Sequence, residues 1–274
     1  MTPDAQDVNF VSHGESNSAI KRLLLLFPLI VLTFLFGCGA NPDLETSRMF
    51  QKAEDEFSKA KTTDEFTRVA ISYQEILDNG FTSGTVLYNQ GNAWMQAGQR
   101  GRAIACYRQA KRLLPRDPYL DANLRLALSS SELSTNTPLL DYVFFWQQAV
   151  SFHEKAFLGT LLLAIALVFL LLGNANVHPV ITRRIGVGAL VLTSLVAVSI
   201  ARDWLDIEQT THGVVTASET TARKGASDSY ETAFNQPLTE GTEFHVLSAN
   251  DDWLNISVGD LGAGWVPRRD CTTW

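Results

Sequence analysis

The chain has little of what catalysis or nucleic-acid binding requires. Its 274 residues include three cysteines and three methionines, only 19% are charged, and 22 Lys and Arg stand against 29 Asp and Glu for a formal net charge of −7. A protein that binds polyanions generally carries a basic surplus, so nucleic acid is excluded as its general partner. The histidines His13, His153, His178, His212 and His245 are scattered, and no HExxH, CxxC, GxSxG or phosphate-loop motif accompanies them. The acidic residues form no pair in a cleft-forming context, and carboxylates alone predict nothing about catalysis. The sequence therefore predicts no enzyme, no metal site and no cofactor.

What the chain has instead is apolar residues gathered into three runs, with polar sequence between them. The first, residues 23–37 (LLLLFPLIVLTFLFG), follows Lys21 and Arg22 and leads into small residues, the order of an export signal. The tetrad Leu35-Phe36-Gly37-Cys38 resembles a lipobox, which would make Cys38 a lipidation site. Phe36 is bulky for that motif and the segment ahead of the run is long, so residues 1–42 stand either as an export signal or as an N-terminal anchor. The other runs, 156–172 and 185–201, each hold 17 uncharged residues. At 1.5 Å per residue that is about 25 Å, the short end of a bilayer crossing. Tyr142, Phe144, Phe145 and Trp146 before the second run and Trp204 after the third are placed as an interfacial aromatic belt. Transmembrane helices are expected at 156–173 and 185–201, with Gly186 and Gly188 in close helix packing. Lys21, Arg22, Arg183 and Arg184 mark the cytoplasmic side, which places both polar segments, from about 43 to 155 and from about 202 to 274, outside the bacterial cytoplasmic membrane.

The first polar segment contains a repeat. Leu87, Gly91 and Trp94, followed by Gly98, Ala103, Tyr107, Ala110 and Pro115, follow the tetratricopeptide pattern, with Gly91 and Ala103 small where two antiparallel helices cross and Trp94 and Tyr107 filling the space beside them. A step of 34 residues back from Ala103, Tyr107 and Ala110 gives Val69, Tyr73 and Ile76, a weaker copy that ends at Asn79-Gly80 rather than at a proline. Residues 118–128 read as a capping helix. The resemblance to tetratricopeptide proteins, with an all-α domain at 44–135, implies a groove for protein partners lined by Thr85, Tyr88, Asn89, Asn92 and Gln96; the alternative is a solvated helix face. Residues 100–125 hold seven basic groups against Asp117 and Asp121, an end suited to lipid headgroups, to an acidic partner or simply to solvent.

From about residue 213 the pattern changes to short alternating segments, Phe244/Val246 and Leu254/Ile256/Val258, divided by turn residues. Their order resembles a bacterial SH3-like domain, implying a small all-β barrel at 213–271 with Trp253 and Trp265 in core or rim packing or, less simply, as a ligand platform. Four basic and nine acidic groups between 212 and 274 disfavour anionic wall polymers but leave cell-wall peptide open. Cys106 and Cys271 lie in unrelated contexts, which favours free thiols over a disulfide.

Signal, repeats, membrane hairpin and SH3-like domain in this order resemble the BatE-type proteins of bacterial aerotolerance operons. That resemblance implies a non-enzymatic scaffold in an envelope stress complex, with von Willebrand factor A-type membrane proteins as partners and, across the membrane, a MoxR-type AAA+ ATPase. The rival reading is an envelope sensor in which the SH3-like domain binds wall peptide and the repeats act as a spacer.

Overall fold

The computed structural model describes residues 43–129, 149–175, 177–209 and 211–274. The expected export signal or anchor, Cys38 and the aromatic residues 142–146 lie outside these. The described residues form two compact units: the apolar hairpin over residues 153–200, and a second unit in which the first polar segment and the C-terminal segment pack together.

The described residues begin with five helices: α1 (Leu44–Lys59), α2 (Thr63–Asp78), α3 (Gly84–Gln96), α4 (Arg100–Leu113) and α5 (Pro118–Leu128). Their ends are written locally. The Asp43 carboxylate accepts the Thr46 N–H at 2.7 Å to start α1. Thr62 and Glu65 form a reciprocal capping box on α2. Asp117 accepts from Tyr119 and Leu120, with Pro118 in the first turn, to start α5. Gly80 (φ 86°) and Gly98 (φ 74°) take the left-handed conformation that ends α2 and α3, and Gly98 belongs to a Schellman motif in which the Gln99 N–H reaches the Trp94 carbonyl at 2.9 Å.

Packing follows the small residues. A Cβ on Gly91 would lie 2.5 Å from the Tyr107 ring, so only glycine lets α3 and α4 approach. Ala103 and Ala110 are fully buried, Tyr107 and Trp94 nearly so, and Pro115 sits half-buried in the turn after α4. One step back along the chain, Val69, Tyr73 and Ile76 are buried with Ala53, so α1 and α2 repeat the arrangement. Leu120, Leu124 and Ala127 bury the inner face of α5.

Helices α6 (Phe152–Asn174) and α7 (Pro179–Gln209) are long and apolar enough to cross a membrane, and only 11% and 17% of their most apolar windows are buried. Both run past the apolar stretches at 156–173 and 185–201. Apolarity marks the part that lipid could cover, whereas the helix continues through polar residues such as Arg202 and Asp203 while its backbone bonds are unbroken. Gly186 meets Leu170 and Gly159 meets Val196, close approaches that small residues permit, while Gly188 faces open space.

The C-terminal segment is a five-stranded antiparallel sheet, in order β6 (Gly262–Pro267), β5 (Trp253–Val258), β4 (Glu243–Ala249), β1 (Thr211–Val215) and β7 (Cys271–Thr273), with a small ribbon of β2 (Glu219–Thr220) and β3 (Leu238–Thr239). Val215, Phe244, Leu254, Ile256, Val258 and Val266 form its core. Strand β1 is buried on both faces: Val215 belongs to this core, and Val214 to the core of the helices.

Replacing Gly91 with Ala should force the Tyr107 ring aside and cost about 1–3 kcal/mol of stability. The check is the denaturant midpoint of the full chain, and an unshifted midpoint would contradict this packing.

Candidate functional site

The stripe Thr85, Tyr88, Asn89, Asn92 and Gln96 follows the 3.6-residue period along one face of α3. Thr85 and Gln96 are exposed, and the other three are half-buried because they tie α3 to its neighbours. Asn89 Nδ2 donates to Glu54 Oε1 of α1 at 2.6 Å, and the same oxygen accepts the Tyr73 hydroxyl at 2.5 Å. On the other side Asn123 Nδ2 of α5 donates to Tyr88 Oη at 3.1 Å and to Asn92 Oδ1 at 2.9 Å, where the Tyr107 hydroxyl also donates at 2.9 Å. Burial, with Glu54 as acceptor, pushes the Tyr73 phenol up, and burial beside Tyr88 and Cys106 does the same for Tyr107; both remain donors. An amide and hydroxyl ladder thus holds α1, α3 and α5 side by side and presents their shared face.

The opposite side of α4 is occupied by the sheet. Helix α4 starts at Gln99 without a side-chain cap and without an acid in its first turn. Glu240, from the turn between β3 and β4, fills that role: its Oε1 accepts the Gly101 N–H at 2.8 Å, and its carbonyl accepts Arg100 Nη2 at 2.6 Å. Two turns on, Arg108 grips Glu243 bidentately, Nε to Oε1 at 2.6 Å and Nη2 to Oε2 at 2.7 Å. Burial opposes the Arg108 charge, but the two hydrogen bonds and the charge of Glu243 outweigh it and leave the guanidinium pKa raised. A Cβ on Gly101 would strike the Val215 carbonyl oxygen at 2.4 Å, so backbone meets backbone there. Val214 and Trp274 pack against the helix core beside these contacts.

Sequence alone specifies no contact between these segments, although it shows their opposite signs, a basic stretch at 100–125 and an acidic C-terminal segment. Within the basic stretch Arg100 and Arg108 hold the sheet, Lys111 pairs with Asp121, and Arg102 lies 4.8 Å over the Trp94 ring.

Trp253 and Trp265 are half-buried and absent from the sheet core. They alternate with the core residues Leu254 and Val266, and the pairings Asn255 with Trp265 and Trp253 with Pro267 put both rings on the face away from that core. Cys106 and Cys271 are free thiols, as expected. Burial pushes the Cys106 thiol up to about 12, slightly offset by Arg102, and burial with Asp270 nearby does the same for Cys271. No group of three or more His, Cys, Asp or Glu able to hold a metal ion occurs among the described residues.

A family model of the tetratricopeptide repeat matches residues 84–117, which span α3, α4 and the turn carrying Pro115. This stretch is a tetratricopeptide repeat. No curated protein and no solved structure matches the chain. The repeat is a module for protein–protein interaction, typically in non-enzymatic scaffolds, and the ladder face of α3 belongs to it.

Glu243→Gln and Arg108→Met should each lower stability by about 1–2 kcal/mol, between the values for exposed and buried pairs. Chemical denaturation of the full chain measures this, with the double variant losing less than the sum of the two; additive losses would mean that the pair does not couple the repeat to the sheet. At mildly alkaline pH iodoacetamide should leave Cys106 and Cys271 unmodified in the folded chain and alkylate both in denaturant, as read by peptide mass mapping.

Proposed function

We propose that the chain is a membrane-anchored adaptor without enzymatic chemistry, which receives a protein partner on the ladder face of its repeats and holds it beside the bilayer. The observation that carries this is the repeat at 84–117, whose α3 keeps Thr85 and Gln96 exposed along a face already ordered by the bonds of Asn89 and Asn92. A partner meeting this face does not have to order it first.

The apolar helices supply the anchor. Their side chains are mostly exposed, as in Leu163, Leu167, Leu171, Val187, Val191 and Leu195, an arrangement that water penalises and lipid does not. Arg108 precedes both helices in sequence and Glu243 follows both, yet they form an ion pair. Insertion compatible with that contact is a hairpin that enters and leaves by one face. The lysines and arginines at 21–22 and 183–184 argue that this face is non-cytoplasmic.

The C-terminal sheet is read as an SH3-like domain on the order of its motifs, supported by its five short strands and by β7 returning to pair with β1. With that reading the chain resembles the BatE-type aerotolerance proteins, and its partners would be von Willebrand factor A-type membrane proteins linked to a MoxR-type ATPase. The sheet's contribution is then to brace α4 from behind while the repeat face stays open.

Crosslinking in cells followed by purification in detergent tests this. A Thr85→Arg, Gln96→Arg variant changes only exposed positions and should lose the partner recovered with the unaltered chain. Undiminished recovery would overturn the reading.

A further inference from the structure

The 34-residue step that relates α3 to its neighbours also relates the residues each helix adds to the shared face. Thr85, Asn89 and Asn92 correspond to Gln51, Asp55 and Ser58 on α1 and to Tyr119, Asn123 and Leu126 on α5. Glu54 stands one such step before Tyr88, and the bonds from Asn89 to Glu54 and from Asn123 to Tyr88 and Asn92 bring α1 and α5 against α3 along this face.

Chemistry changes steadily across this face. At the α1 end Glu54 accepts only the neutral donors of Tyr73 and Asn89 and pairs with no cation among the described residues, so its charge is left uncompensated. Its neighbour Asp55, by contrast, is matched by Lys59 at 2.5 Å. In the middle lie amides. At the α5 end the apolar side chains of Tyr119 and Leu126 flank Asn123 at helical spacing and stand 74% and 63% exposed, while Leu120 and Leu124 on the other side of the helix are buried. The α5 end of the face thus offers apolar surface where the α1 end offers a carboxylate.

Resting on the adaptor reading above, we infer that the face takes an extended protein segment of one polarity and composition, with a Lys or Arg against Glu54 and an aliphatic or aromatic residue against Tyr119 and Leu126. The intervening backbone would run across the amides of α3. Neighbouring helices pack about 8–10 Å apart, so the two ends are separated by about 16–20 Å. An extended chain covers this with about five or six residues. The occupant is thus a basic residue and an apolar residue with that spacing, the opposite charge preference to a groove that clamps a carboxylate.

Fluorescence anisotropy on the full chain in detergent tests the inference. The probes are labelled peptides with Arg and a Leu-Phe pair joined by a short, a matched or a long Ser/Gly spacer, and the same set with Glu for Arg. The matched Arg peptide should bind at least about tenfold more tightly than its Glu counterpart. Glu54→Gln, which still accepts from Tyr73 and Asn89, should abolish that preference, and Leu126→Ser should weaken both peptides. Equal affinity for Arg and Glu peptides, or a preference that survives Glu54→Gln, overturns the inference; if Gln96→Arg then still blocks both, the adaptor face stands. No binding of any peptide overturns the inference alone, the adaptor reading then being decided by partner recovery with the Thr85→Arg, Gln96→Arg variant; binding insensitive to Gln96→Arg overturns the inference, and undiminished partner recovery with that variant removes the adaptor reading as well. If Tyr119→Ser and Leu126→Ser lower the melting temperature and leave peptide affinity unchanged, the apolar pair is covered by the chain itself and the inference fails.

Discussion

Helix α4 needs the sheet, and most of the architecture outside the apolar hairpin depends on that need. Its first turn has free N–H groups, no capping side chain of its own and no acid to meet the positive end of its dipole. Glu240 supplies both cap and charge from a segment about 140 residues further along the chain. Gly101 supplies the room, and Arg108 with Glu243 fixes the rotation of the helix about its axis. On its other flank the same helix gives Tyr107 to Gly91 and to Asn92. One helix therefore carries the packing signature of the repeat, braces the ladder face and receives the sheet.

The consequence for the repeats is thermodynamic. An array of so few units buries little core and exposes its terminal helices, and such arrays require capping at their ends. Here α5 covers one end, and the sheet covers the side of α4 that a further repeat would not reach. Val214 joins the helical core from β1, so the two cores are continuous through a single strand, with Val215 beside it facing the other way. Two-faced burial of this kind is unusual for a small antiparallel sheet, whose second face commonly meets water.

Much of this was legible in the sequence because it was written locally. Gly91, Ala103 and Tyr107 carried the helix crossing, and the alternation at Leu254, Ile256 and Val258 the buried face of a strand. The helix ends beyond residues 173 and 201 were hidden, because apolarity stops at a chemical boundary and hydrogen bonding does not. Docking was hidden for a different reason. Glu240 and Glu243 look like ordinary surface acids in a segment of net negative charge, and nothing in their neighbours reveals that a helix N-terminus and Arg108 await them. The opposite signs of the two segments were visible, but charge balance specifies attraction without specifying geometry. The ladder was half visible: the period put Tyr88, Asn89 and Asn92 on one face, while their partners Glu54 and Asn123 emerge only once three helices stand together.

The way charge is divided along the chain also explains why the sheet leaves the ladder face uncovered. Basic groups on α4 and acidic groups on the sheet neutralise one another at the docked side, through a contact held by a bidentate pair and a capped helix end. Had Arg100 and Arg108 lain on the ladder face instead, they would have drawn the acidic sheet across the surface that α3 presents. With the attraction confined to the far side of α4, the sheet secures the repeat without competing for its face, and Glu54 is left as a carboxylate on α1 with only neutral donors around it. A polar face preordered by internal bonds, and not covered by the chain's own charged module, is the condition under which a short repeat array can bind another protein with little loss of conformational entropy.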